Sequence, residues 1–178
     1  MRHLTLSLSV LLILFGTFIL WRAKFTQQNL SFEGELSVAE NVQERQSVPI
    51  LLKTPSLGIN LKVEETGIIN GEWQVPVSNL GHLAVSARPG EGDNIVIYGH
   101  NKKSIFGKLG QIKAGDVVVV ESEKGEKWEY QVFEKIVVNP DRMDLVGKTN
   151  EEILTLYTCT GWLDSKRLVV RARLKTSV

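Results

Sequence analysis

The chain has 178 residues, 21 Lys and Arg against 20 Asp and Glu, a formal net charge of +1 and a single cysteine. That length allows one domain with a sizeable core plus appendages. Mixed charge without a basic stripe argues against a nucleic-acid binder, and one cysteine excludes an intrachain disulfide or a cysteine-based zinc cage.

Leu4 to Trp21 is an apolar run without a charged side chain, interrupted only by Thr5, Ser7, Ser9, Gly16 and Thr17. As a helix it would span about 27 Å, close to the hydrocarbon thickness of a bilayer. Arg2 precedes it, and Trp21, Arg22 and Lys24 follow where a membrane interface would lie. No small-x-small cleavage site follows the run, so residues 1–21 are expected to form a retained single transmembrane anchor rather than a cleaved signal peptide. Residues 22–47 are polar and lack a sustained apolar period, the composition of a stalk that holds a domain off the bilayer.

Residues 48–178 change character, to short β-like runs broken by Gly, Pro and Asn. The runs are 50–54, 57–64, 94–98, 117–122, 127–138, 153–159 and 167–174, with a hairpin turn at Lys124-Gly125. Ser104 is placed to cap a short helix carrying Ile105, Leu109 and Ile112 on one face. Many short strands with one or two brief helices predict an all-β barrel or sandwich.

The most informative stretch is Leu154 to Cys159 followed by Arg167 to Leu174. With side chains alternating, Leu154 and Leu156 take one face of the first strand and Thr155, Tyr157 and Cys159 the other. In the second strand Leu168, Val170, Ala172 and Leu174 form the apolar face, opposite Arg167, Val169, Arg171 and Arg173. If the two strands pair across the loop Thr160 to Lys166, Cys159 and Arg167 sit together on the face that the leucines avoid. A lone cysteine is as often a small buried hydrophobe, but this placement suits a nucleophile with a guanidinium to hold an oxyanion. Arg171 and Arg173 share that face farther from the loop and are read as solvated charges.

A thiolate also needs a proton-transfer partner. His3 is in or beside the expected anchor. His82 lies in the loop-like Ser78-Asn79-Leu80-Gly81-His82, and His100 ends the apolar strand 94–98 after Gly99. Strand ends beside loops are where rigid scaffolds present reactive groups, which favours His100.

Gly99-His100, Phe106-x-x-Leu109, Lys113-Ala114-Gly115-Asp116, Thr155-Leu156-Tyr157-Thr158-Cys159 and Arg167 together resemble the sortases, the membrane-anchored cysteine transpeptidases of bacterial cell surfaces. Pro89 to His100 and Trp73-Gln74-Val75-Pro76 look similar to the family's segments, and the resemblance, class D/E-like, covers about Val48 to Leu174. It implies an eight-stranded β-barrel with Cys159 and Arg167 on the last two strands and His100 after an earlier one. It also implies that Cys159 attacks the Thr carbonyl of a Leu-Pro-x-Thr-Gly-like sorting motif, that Arg167 stabilises the oxyanion and that His100 protonates the departing amine. Thr158 would then help position the oxyanion or the substrate, and Tyr98, bulky where many members have a small residue, would shape the groove floor. The implied partners are sorting-motif peptides of exported proteins, a cell-wall or protein amine as acceptor, and the membrane through the N-terminal helix, with the catalytic domain on the extracytoplasmic side. No cofactor or metal is expected; Glu64, Glu65 and Glu134 are read as surface carboxylates. The loop 139–150 would wall the peptide groove. A peptidase using water as acceptor, or a non-catalytic β-module on a stalk, are the competing readings.

Overall fold

The computed structural model describes residues 15–19, which are helical, and residues 48–175. The rest of the expected anchor and the whole of the expected stalk lie outside the described residues. Among the described residues no helix is long and apolar enough to cross a membrane.

β1 (Pro49–Thr54) and β2 (Ile59–Thr66) form an antiparallel pair joined by a 3-10 turn over Pro55–Leu57. The turn closes on Gly58, whose φ of 64° is the left-handed conformation that a residue without Cβ adopts freely. β3 (Ile68–Ile69) and β4 (Glu72–Trp73) make a small separate hairpin. Then come β5 (Leu80–Leu83), β6 (Asn94–Tyr98), β7 (Val117–Ser122), β8 (Lys127–Val138), β9 (Ile153–Thr160) and β10 (Lys166–Leu174). Eight strands close into a barrel in the order β1-β2-β5-β6-β9-β10-β8-β7, as the all-β reading predicts.

Alternation sorts the side chains onto two faces. Leu52, Val120, Ile97, Leu156, Val170 and Tyr130, each fully buried, meet inside the barrel. The opposite face of β6, β9 and β10 carries a second apolar cluster that includes Val96, Tyr98, Tyr157, Cys159 and Val169. Trp73 of the small hairpin and Leu145 and Val146 of the segment between β8 and β9 roof this second cluster. That segment is pinned to the barrel by Asn94, whose Nδ2 donates to the carbonyls of Leu145 (3.1 Å) and Gly147 (2.8 Å). Asp93 Oδ1 accepts from the backbone N–H of Thr149 at 2.6 Å as well.

Three local expectations change. Residues 103–108 form turns and only Leu109–Gln111 is helical, as a single 3-10 turn, so the expected short helix is absent although Ile105, Leu109 and Ile112 are all buried as its apolar face required. The backbone reason is local: Gly107 sits so close to Lys102 that a Cβ would lie 2.8 Å from its carbonyl carbon, a tight reversal no regular helix makes. His82, read as loop, lies on β5. This four-residue strand is buried along its length between a parallel neighbour, β2, and an antiparallel one, β6, so Leu-Gly-His-Leu shows no polar alternation to mark it. Leu174 is 39 % exposed at the last residue of β10, one position past the end of its pairing with β9 at Ile153.

Candidate active site

The β9–β10 ladder pairs Cys159 directly with Arg167. Residues opposite each other in an antiparallel pair have Cα atoms about 4.5–5.5 Å apart. On its other side β9 runs parallel to β6, with Tyr98 level with Tyr157. The pairing continues one residue past the strand, where the Gly99 N–H donates to the Tyr157 carbonyl at 3.2 Å. Thr158 Oγ1 donates to the Gly99 carbonyl at 2.7 Å and fixes the same junction. Carrying the register one step further brings His100 level with Cys159. β9, β10 and the residues just past β6 therefore bring the backbone positions of Cys159, Arg167 and His100 to one level at one end of the barrel.

Gly99 has a packing reason to be glycine: a Cβ there would lie 2.7 Å from Leu80 Cδ2 and 3.0 Å from Ile105 Cγ2. Without that space the chain could not stay on the ladder as far as His100.

Burial sets the resting electrostatics. Cys159 is only 4 % exposed, and desolvation pushes its thiol up to about 11, against the pull of the Arg167 guanidinium and with a smaller push from the Asp164 carboxylate. His100 is half-buried; desolvation and the Lys102 ammonium lower its pKa, while Asp164 raises it. At neutral pH the pair rests as thiol and imidazole, and Asp164 acts on both. A face that the leucines avoid had suggested an open thiol. That face is itself a packed apolar cluster, in which Cys159 is joined by Trp73 of the hairpin β3–β4 and by Leu145 and Val146 of the 139–150 segment, and neither neighbour can be read from strand alternation.

Arg167 is 3 % exposed and firmly held. Its Nε donates to the Tyr157 hydroxyl at 2.7 Å, and its Nη1 to the carbonyls of Asp164 (2.7 Å) and Lys166 (3.1 Å). Tyr157 is the residue that sequence reasoning missed. The signal was available, since alternation already put Tyr157 on the face of Cys159, diagonal to Arg167. Asp164 gave no such signal, because its position depends on the left-handed backbone of Leu163 (φ 53°) and Asp164 (φ 59°), two residues that do not advertise it.

Tyr98 and Thr158 are buried, at 0 % and 1 % exposure. The Tyr98 hydroxyl donates to the Gln74 carbonyl at 2.6 Å and lies 2.8 Å from Thr66 Oγ1, and its ring packs at 4.9 Å against that of Trp73. Both side chains therefore support the site from beneath its surface. His82 is apart from the site: it faces the barrel interior with Nε2 2.9 Å from the Ala87 carbonyl. Arg171 is half-buried rather than solvated, paired with Glu134 at 3.1 Å, while Arg173 pairs with Glu151 at 3.3 Å. Both guanidinium groups lie over the ring of Phe133. Glu65 pairs with Arg88, and Glu64 accepts from Asn79.

A cysteine, an arginine across the ladder and a histidine at the adjoining strand end, gathered at one end of a closed β-barrel, form an arrangement suited to acyl transfer through a thiol. Comparison with known proteins gives this class its family. Residues 52–175 match the Sortase domain, and the chain belongs to the sortase family. It is 35 % identical over 92 residues to YwpE of Bacillus subtilis strain 168, whose name carries the word sortase, across 49 % of this chain and 88 % of that one. Among solved structures, a lid mutant of sortase A from Corynebacterium diphtheriae is similar with a TM-score of 0.62 and 27 % identity, over 77 % of this chain and 74 % of the other. Sortase C-1 from Actinomyces oris is similar with a TM-score of 0.62 and 27 % identity, over 72 % and 73 % of the two chains.

Proposed function

We propose that this chain is a sortase-type cysteine transpeptidase that cleaves a Leu-Pro-x-Thr-Gly-like sorting motif and joins the acyl part to an amine of a cell-wall precursor or another protein. The observation that carries this reading is the single level shared by His100, Cys159 and Arg167 across β6, β9 and β10. Cys159 passes its proton to the neutral His100 imidazole as its Sγ attacks the Thr carbonyl, and the carbonyl oxygen becomes an oxyanion stabilised by Arg167. His100 gives a proton to the departing amine as the carbon–nitrogen bond breaks, leaving a thioester on Cys159. The acceptor amine attacks that thioester, loses a proton to His100 and frees the thiol. Thr158 and Tyr98 hold the floor beneath these groups. Residues 1–21 anchor the chain in the cell membrane by a single pass, with residues 48–178 on the extracytoplasmic side and 22–47 as the stalk.

The full chain in detergent, given a sorting-motif peptide, should gain the mass of the acyl fragment and release it as an amide when an amine is added. Cys159→Ala should abolish the adduct and His100→Ala should cripple turnover. Loss of activity in His82→Ala with His100→Ala unaffected would overturn the assignment of the acid. Peptide cleavage that an added amine never diverts would make the protein a hydrolase.

A further inference from the structure

We propose that the rim around the site, formed by Trp162 and Leu163 on one side and Lys102, Lys103 and Lys108 on the other, docks on an anionic bilayer surface and holds the catalytic end of the barrel against the membrane. This deepens, and rests on, the reading of the chain as a membrane-anchored sortase-type enzyme.

The two sides of the rim leave the barrel together. Residues 101–108 follow β6 and residues 161–165 follow β9, and these strands are parallel neighbours that end toward the same end of the barrel, β9 running past the Tyr98–Tyr157 level to Thr160. Lys102 is folded back toward the site, its N–H donating to the His100 carbonyl at 2.8 Å.

Trp162 is 84 % exposed and Leu163 44 % exposed, between the nucleophile and the arginine. Neither is on a segment free to tuck away. Leu163 and Asp164 are both held at positive φ, a conformation that costs most residues energy and persists only where surroundings impose it. Here the surroundings are named bonds: Asp164 N–H to the Gly161 carbonyl (3.3 Å), Ser165 N–H to the Trp162 carbonyl (3.2 Å) and Arg167 Nη1 to the Asp164 carbonyl (2.7 Å). The strained turn thus presents a large indole and a leucine to the outside.

Opposite it, residues 101–115 contain Lys102, Lys103, Lys108 and Lys113 and no Asp or Glu. Lys102, Lys103 and Lys108 are exposed, and among the described residues none of them joins an ion pair. Against these three cations the other side offers one carboxylate, Asp164, with Lys166 beside it. Trp and Leu flanked by unpaired lysines is the composition of a surface seated at a lipid headgroup layer: the indole prefers the interface, and the ammonium groups meet anionic lipid. An acidic protein would meet the lysines equally well but would not by itself call for an indole and a leucine held outward. An anchored chain also faces its membrane at high effective concentration, so a weak surface suffices.

The full chain carries its own control. In vesicles of phosphatidylglycerol with brominated acyl chains, the quenchable part of the emission of a Trp162→Phe variant, whose Trp73 and Trp128 are packed on the barrel, reports Trp21 and the anchor, and the difference between wild type and that variant reports Trp162. The expected result is loss of most Trp162 emission in these vesicles. That emission should recover in zwitterionic phosphatidylcholine vesicles and in Lys102→Gln/Lys103→Gln/Lys108→Gln. Unquenched Trp162 with quenched Trp21 would overturn the docking surface while leaving the anchor standing; neither quenched would sink both. Equal quenching in the triple variant would remove the lysines from the surface and overturn the proposal. So would a blue shift of Trp162 on adding polyglutamate but not on adding vesicles, which would give the rim to an acidic protein.

Discussion

Arg167 is paired across the ladder with Cys159, yet its Nε bonds to the hydroxyl of Tyr157, two residues back along the same strand. A guanidinium is useful to a developing oxyanion only if its direction is fixed before the charge appears. Tyr157 supplies that direction from within the second apolar cluster, where no water competes for the bond. Tyr157→Phe keeps the ring packing against Trp73 and deletes only the acceptor. We expect kcat to fall about tenfold or more with KM little changed, alongside a stability loss of about 1–3 kcal/mol from the orphaned charged donor. Equal stability loss with an unchanged kcat would reduce Tyr157 to a packing residue.

The covered thiol should show itself in its chemistry. Only the thiolate alkylates, and burial pushes the Cys159 thiol up to about 11. The rate of alkylation by iodoacetamide should therefore be slow at pH 7 and climb about tenfold per pH unit well beyond the point, about 8.5, at which a free cysteine levels off. Arg167 opposes that rise, so Arg167→Gln should move the profile to still higher pH. A plateau below about pH 9 would mean that the thiol is more open, or better compensated, than its surroundings indicate.

These two cases also separate what residues reveal on their own from what they do not. The barrel was legible because its strands are long enough to alternate: Leu154 and Leu156 against Tyr157 and Cys159, Leu168 and Val170 against Arg167. The candidate site was legible because a rare sulfur, a strand-end imidazole and a guanidinium just across a loop share one spacing, and the ladder brings these residues to one level. The cover over Cys159 was not, since it depends on where Trp73 and Leu145 come to rest after folding, and both are distant in sequence. β5 was missed for a related reason, because burial on both faces erases the pattern by which a strand is recognised. The expected helix at Ser104 failed where the close approach of Gly107 to the backbone of Lys102 and Lys103 outweighed a correctly read apolar face.

His82 gives a pH prediction of known sign. Desolvation lowers its pKa from the ordinary 6.5, and its Nδ1 is buried without a hydrogen-bond partner. The folded chain thus resists a proton that the unfolded chain accepts. Its contribution to stability is fully present above about pH 6.5 and is lost as the pH falls from there toward the depressed folded value. Urea midpoints should decline through that window, and His82→Gln, which cannot take the proton, should flatten the decline. A profile that keeps the same slope in the variant would assign the acid sensitivity to carboxylates instead.

Asn94 decides whether the wall beside the site is a wall at all. Its Nδ2 holds two carbonyls of the 139–150 segment while its Oδ1 accepts from Thr155 Oγ1 at 2.7 Å, so one amide joins the segment to both β6 and β9. Asn94→Ala strips all three bonds from a nearly fully buried position, and we expect a loss of about 2–4 kcal/mol as the stranded partners lose their compensation. Asn94→Asp is the sharper variant. It can still accept from Thr155 but sets a carboxylate against the Leu145 and Gly147 carbonyls, which favours releasing the segment over keeping it. Amide exchange at residues 143–149 should therefore accelerate in both variants, and more than exchange in β1 and β2. KM for a sorting peptide should rise more than kcat falls, because a loosened wall weakens binding before it disturbs Cys159. If exchange accelerates everywhere alike, Asn94 holds the whole barrel together and the segment has no independent motion to restrain.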